Sequence, residues 1–264
     1  NIINTTFQSI NNGAIYNNKN LNIINTTFQS INNGAIYNNG NQLTIENSLF
    51  DSASLNNKKY CQIYNSTITK SSISNEGEII INNTTISKYN GLVVSNSGTM
   101  TITHSQIFNN NGDGNVILNN ENGKFLLEKS IIKENTIKQK SAYGWLTYLG
   151  VIKNNGDMEI TGCIFDNNQA SDWDSFFGVM QSGSINIYNI GKLIVRYNYL
   201  INTQYYTLDE FHGSTSTVPI MFLLNAGGTS DVNYNFLCLD PNTVIKNTDP
   251  NYYFIPSFND YIPV

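Results

Sequence analysis

The stretch "NIINTTFQSINNGAIYNN" fills residues 1–18 and returns unchanged at 22–39. A unit of about twenty residues cannot bury an apolar core alone, so repeated units must stack on one another. After residue 39 the identity fades, but a shorter pattern persists. A hydrophobe is followed by a central Ile or Leu two places on, often by Asn two further, and by a closing hydrophobe. It reads "LNIINTTF" at 21–28, "LTIENSLF" at 43–50, "CQIYNSTI" at 61–68 and "IIINNTTI" at 79–86. It continues as "MTITHSQI" at 100–107, "FLLEKSII" at 125–132, "MEITGCIF" at 158–165 and "LIVRYNYL" at 193–200.

The central aliphatic position falls at Ile2, Ile23, Ile45, Ile63, Ile81, Ile102, Leu127, Ile160 and Val195. The spacing starts at 18 to 22 residues and stretches to 35 late in the chain. A constant motif with variable insertions is the mark of stacked coils that carry loops on one side. Gly precedes the motif in "NEGE" at 75–78, "NSGT" at 96–99 and "NNGD" at 154–157. Gly there suggests a sharp corner with left-handed backbone. Upstream lies a second strand signal, as in "GLVVSN" at 91–96. Period-two alternation and the wealth of Ile, Val, Tyr and Thr favour strands over helices.

The expected fold is therefore all-β: a single-stranded right-handed parallel β-helix, or solenoid, of about nine to ten coils. It should span residues 1–240, with regular coils over 1–107 and insertion-bearing coils over 108–240, followed by a tail or cap at 241–264. Parity puts Leu21 and Ile23 inward and Asn22, Thr44, Gln62, Ile80, Thr101, Leu126, Glu159 and Ile194 outward. The same parity makes Asn4, Asn25, Asn47, Asn65 and Asn83 an inward ladder at a corner. In later coils that series becomes His104, Lys129, Gly162 and Tyr197, which predicts less regular corners opening into the longer loops.

Asparagine accounts for 46 of the 264 residues, arginine for one, and the formal net charge is −5. Nucleic acid needs clustered Lys and Arg, which are spread thinly here. No apolar stretch is long enough to span a bilayer, so no membrane contact is expected within this segment. No signal peptide opens the chain and residue 1 falls inside a repeat, which reads as a fragment of a longer protein. Cys61, Cys163 and Cys238 have no metal or redox spacing; Cys61 reads as a small buried hydrophobe.

With these residues in view, "GAIYNNGNQLTIENSLF" at 34–50 resembles the repeats of parallel β-helix, adhesin-like surface proteins. The Asn/Thr-rich character is most similar to the adhesin-like proteins of methanogenic archaea. The segment "VNYNFLCLDPN" at 232–242 resembles the one that closes a β-helix in that family, with Phe236, Leu237 and Cys238 where paired tryptophans are usual. The resemblance implies an extracellular, cell-surface protein that attaches to glycans or to surface proteins of other cells.

Parallel β-helices also host polysaccharide lyases and glycoside hydrolases, whose sites gather carboxylates on one sheet face. The outward column named above holds one carboxylate among eight residues, so a non-catalytic scaffold is the primary expectation. A carbohydrate-active site near 166–196 is the alternative, where Asp166, Asp172 and Asp174 lie close in sequence. Aromatics cluster in the insertions, and Trp145, Asp172, Trp173, Asp174 and Arg196 form the candidate glycan groove. No cofactor and no metal is expected: "NNNGDGNVILNNE" at 109–121 lacks the acidic first and twelfth positions of a calcium loop. Asn4, Asn25, Asn65, Asn82 and Asn83 head Asn-x-Ser/Thr triplets. All but Asn82 belong to the expected inward corner, where no glycan could be attached.

Overall fold

A computed structural model describes residues 1–112, 114–141, 150–174, 179–182, 187–201, 207–208, 216–217, 223–225 and 228–237. They form a parallel β-solenoid, and none of the described residues is helical. One sheet has ten strands, among them Asn20–Ile24, Gln42–Glu46, Tyr60–Tyr64, Glu78–Asn82, Thr99–Thr103, Lys124–Glu128, Asp157–Thr161 and Lys192–Arg196. The other main sheet carries two further strands per coil. Thr67–Thr69, Thr85–Ser87 and Gln106–Phe108 belong to its second row, and Ile73–Asn75, Val94–Asn96 and Ile117–Asn119 to its third. Thr27–Asn38 and Leu49–Asn57 run through both rows and join them.

The register follows the aliphatic column. Ile23 pairs with Ile45, Ile45 with Ile63, and Ile63 with Ile81. Ile81 then pairs with Ile102, Ile102 with Leu127, Leu127 with Ile160 and Ile160 with Val195. Val232 extends the column from Val195, within the strand Thr229–Asn233. These strands alternate inward and outward residues, so the column is buried while the residues between face out. In the second row a parallel inward column begins with Phe7, Phe28 and Phe50 and continues through Ile68, Ile86, Ile107 and Ile132 to Phe165. Phe7 stacks on Phe28 at 5.1 Å and Phe28 on Phe50 at 4.7 Å.

The first corner, between the ten-stranded sheet and the second row, keeps a constant two-residue link in every described coil. The first of these two residues always has positive φ: 50° at Asn25, 49° at Asn47, Asn65, Asn83 and His104, 46° at Lys129, 64° at Gly162 and 57° at Tyr197. This corner does not open into loops in the later coils. The extra residues enter instead at the second corner, between Phe108 and Ile117, Lys133 and Ile152, and Asp166 and Ile187. From those segments Asn111–Gly112, Thr136–Ser141, Gln169–Asp174 and Val179–Ser182 build a separate four-stranded sheet.

The inward orientation expected for Asn4, Asn25, Asn47, Asn65 and Asn83 is corrected: all five are exposed. Period-two parity holds only for extended backbone. A left-handed residue turns the chain, so Ile24 and Asn25 both face out and Thr26 faces in. The inward residue of this corner is the following hydroxyl. Thr26, Ser48, Ser66, Thr84, Ser105 and Ser130 are buried, and each donates to the carbonyl two residues back, as Ser66 does to Tyr64 at 2.7 Å. The hydroxyl oxygens of Ser48, Ser66, Thr84, Ser105 and Ser130 also accept a backbone N–H from the previous coil, as in Ser48 N–H to Ser66 Oγ at 3.1 Å. The column continues through Cys163, Asn198 and Asn235: the Cys163 N–H donates to Asn198 Oδ1 at 2.8 Å and the Asn198 N–H to Asn235 Oδ1 at 3.0 Å.

A buried asparagine ladder does exist, at the third corner. It runs through Asn17, Asn38, Asn57, Asn75, Asn96, Asn119, Asn154 and Asn189. From Asn17 to Asn154 each Nδ2 donates to the Oδ1 of the next coil at 2.7–2.9 Å: Asn17 to Asn38, Asn38 to Asn57, Asn57 to Asn75, Asn75 to Asn96, Asn96 to Asn119, Asn119 to Asn154 and Asn154 to Asn189. The same amides close their own turns, as Asn75 does on the Gly77 carbonyl at 3.0 Å. A second ladder, Asn110 to Asn135 to Asn168, lines the second corner at 2.9 and 3.0 Å. The glycines before the ten-stranded sheet serve close approach and not a left-handed turn. A Cβ at Gly98 would lie 2.0 Å from the Gly77 carbonyl oxygen, and one at Gly191 2.1 Å from that of Gly156.

Candidate functional site

The outward surface of the ten-stranded sheet repeats from coil to coil. Its three exposed columns place Lys124, Asp157 and Lys192 in register, then Leu126, Glu159, Ile194 and Asp231, then Glu128, Thr161, Arg196 and Asn233. Side chains in one column are about 4.8 Å apart along the axis. Charge gathers toward the late coils, where Asp157, Glu159, Lys192, Arg196 and Asp231 occupy three adjacent strands.

Arg196 ends the strand Lys192–Arg196, and its Nη2 donates to Oδ2 of Asp231 one coil on. Asn233 Nδ2 donates to the other oxygen, Oδ1. Hydrogen bonding to Asp231 raises the Arg196 pKa first, the charge of Asp231 adds to this, and burial opposes it; Glu159 contributes a smaller rise. The guanidinium is thus fixed, charged and locally neutralised before any partner arrives.

Immediately after these residues come the first-corner positions Tyr197 and Tyr234. Their rings stack at 5.3 Å with planes 8° apart, and they are 53% and 69% exposed. Tyr199, in the next strand, is also exposed. A second stack joins exposed Tyr16 and half-buried Tyr37 at 4.9 Å, produced by the identical repeat.

The sequence-predicted groove is not gathered in one sheet. Trp145 lies outside the described residues. Asp172, Trp173 and Asp174 lie in the strand Gln169–Asp174 of the separate sheet, where Asp172 stands opposite Gln139 and Gln181. Arg196 belongs to the ten-stranded sheet instead, with Asp231 and Asn233 as its neighbours. Sequence reasoning missed Asp231, Asn233 and Tyr234. Their signal was the late coil spacing, because a step of 37 residues from Val195 reaches Val232.

The two cysteines of the described core are free and buried. Burial pushes both thiols up, that of Cys163 to about 12. Among the described residues no group of three or more His, Cys, Asp or Glu is placed to hold a metal ion. Among the described residues no helix is long and apolar enough to cross a membrane. No family model matches the chain, and no curated protein gives a significant match.

Proposed function

We propose that this chain is a non-catalytic attachment scaffold of the extracellular, adhesin-like kind, which meets glycans on a surface that repeats along its axis. One observation carries the reading. The identical segments stack residue on residue, Ile15 on Ile36, Tyr16 on Tyr37 and Asn17 on Asn38. Duplication therefore yields the same outward surface again, one coil further along. A catalytic site gains nothing from such copying, whereas a ligand made of repeating units gains further points of contact. The surface chemistry agrees. Outward positions are rich in Asn, Thr and Ser, which hydrogen-bond hydroxyls without drawing counterions.

The test is retention of the protein on a panel of immobilised polysaccharides and on a glycan array, followed by assay of the polysaccharides for new reducing ends and unsaturated products. Retention with intact polysaccharide supports the scaffold. Cleavage products overturn it in favour of a lyase or hydrolase with its site near 166–196. Neither retention nor cleavage leaves a bare stalk.

A further inference from the structure

The exposed tyrosines at 197 and 234 occupy a position where the backbone disfavours them. The first corner requires the left-handed region at each coil, and Asn, the non-glycine residue that best tolerates it, stands there at 4, 25, 47, 65 and 83. Tyr197 and Tyr234 adopt φ of 57° and 55° all the same. A bulky residue held in this region without burial to offset the strain points to use of its side chain. Both rings are exposed and stack face against face, with their planes nearly parallel.

Each ring is preceded by a polar residue of one bonded fork. Arg196 precedes Tyr197, Asn233 precedes Tyr234, and both donate to the Asp231 carboxylate between them. One coil earlier the same corner holds Gly162, which has no side chain to cover the face of Tyr197 turned away from Tyr234. An open aromatic face beside a fixed fork of donors and an acceptor is complementary to a pyranose. The C–H face of such a ring rests on the π surface, and its hydroxyls reach the fork. The charge of the patch selects among glycans. Arg196 is neutralised by Asp231, Glu159 lies two strands away in the same column as Asp231, and the whole chain carries −5. An acidic polysaccharide is repelled and a neutral one is not.

Resting on the attachment reading above, we propose that Tyr197 and Tyr234, with Arg196, Asp231 and Asn233, form a binding site for a neutral pyranose unit of a polysaccharide.

The experiment compares the full chain with the double variant Tyr197→Asn/Tyr234→Asn, which installs the residue that five other coils carry at this corner and so keeps the fold. Affinity electrophoresis in soluble β-glucan, xylan and mannan, with polygalacturonate as the acidic probe, reads binding, and circular dichroism reads the fold. The expected result is retardation of the wild type by at least one neutral polysaccharide and weaker retardation by polygalacturonate. The double variant should lose about tenfold or more in affinity while its melting temperature holds or rises. Unchanged affinity in the double variant overturns this site and leaves the attachment reading standing. Stronger binding to polygalacturonate overturns the assignment to a neutral sugar. No binding by the wild type overturns both the site and glycan attachment.

Discussion

Asn96 donates its side-chain amide to Oδ1 of Asn119 at 2.9 Å, across 23 residues of sequence, with both side chains fully buried. The Oδ1 of Asn96 accepts from Asn75 at 2.8 Å and from the Gly98 N–H at 3.2 Å, and its Nδ2 also reaches the Gly98 carbonyl at 3.0 Å. One amide thus closes its own turn and ties three coils together. Asn→Leu keeps the volume but removes the acceptor of the Gly98 N–H and the donor to Asn119 Oδ1, both inside the structure. Asn96→Leu should cost about 3 kcal/mol, read as a shift in the chemical denaturation midpoint. Thr101→Ala, on the outward side of the neighbouring strand, should stay within about 0.5 kcal/mol.

Glycines at two corners should respond in opposite ways. Gly98→Ala drives a methyl to 2.0 Å from the Gly77 carbonyl oxygen, so stacked backbones must separate. A loss of about 2–3 kcal/mol is expected. At Gly162 φ is 64° and the nearest atom to an added Cβ is 3.6 Å away, in the column where other coils hold Asn. Gly162→Asn should leave stability within about 0.5 kcal/mol or raise it slightly, by restricting the unfolded chain. Paired thermal melts check both.

Alkaline pH should weaken the fold through Cys163. Its thiol titrates near 9 when unfolded and at about 12 when folded, because burial penalises the thiolate. Between these values the unfolded chain has released a proton that the folded chain still holds. The contribution is therefore complete below pH 9 and is lost as pH rises toward 12, at about 1.4 kcal/mol per pH unit for this group. Urea midpoints measured across that window should fall less steeply in Cys163→Ser, with Cys61 adding a slope of the same sign in both proteins.

Much of the fold was legible because the solenoid writes its period into one column. Ile2 through Val195 marked nine coils and missed the one at Val232. Left-handed backbone was expected at the glycines before the ten-stranded sheet; it lies at the first corner, whose positions from Asn4 to Tyr197 were identified as a corner. The orientation of that corner was not legible, since alternation counted from Ile23 fails at the first non-extended residue. The ladder that forms was written in plain view in "YNN" and "VSN", but an Asn before a Gly turn reads equally as solvent-facing. The correction has a consequence for modification. Asn4, Asn25, Asn65 and Asn83 are exposed at the head of their Asn-x-Ser/Thr triplets, so burial does not protect them from glycosylation. The site was less legible than the fold. Asp172 and Arg196 are near in sequence, but the second corner diverts Gln169–Asp174 into another sheet, while Asp231 reaches Arg196 from 35 residues away.

Interchangeable coils should be removable. Deleting residues 22–43 joins Leu21 to Thr44, which preserves the motif and the register of the next strand, because Leu21 and Leu43 are partners. Nearest-neighbour stacking predicts a protein that keeps its β circular dichroism and melts a few degrees lower.

Outward residues stand in register from coil to coil, across the insertions as well. Nitroxide labels at Leu126 and Glu159 test it most directly. The two residues are 33 positions apart in sequence, stand opposite each other in adjacent strands, and both face out. Electron paramagnetic resonance should show strong dipolar broadening for this pair, from backbones about 5 Å apart, and far weaker coupling for labels at Leu126 and Asp231, about 14 Å apart over three coils. Equally weak coupling in both pairs would rule out this register.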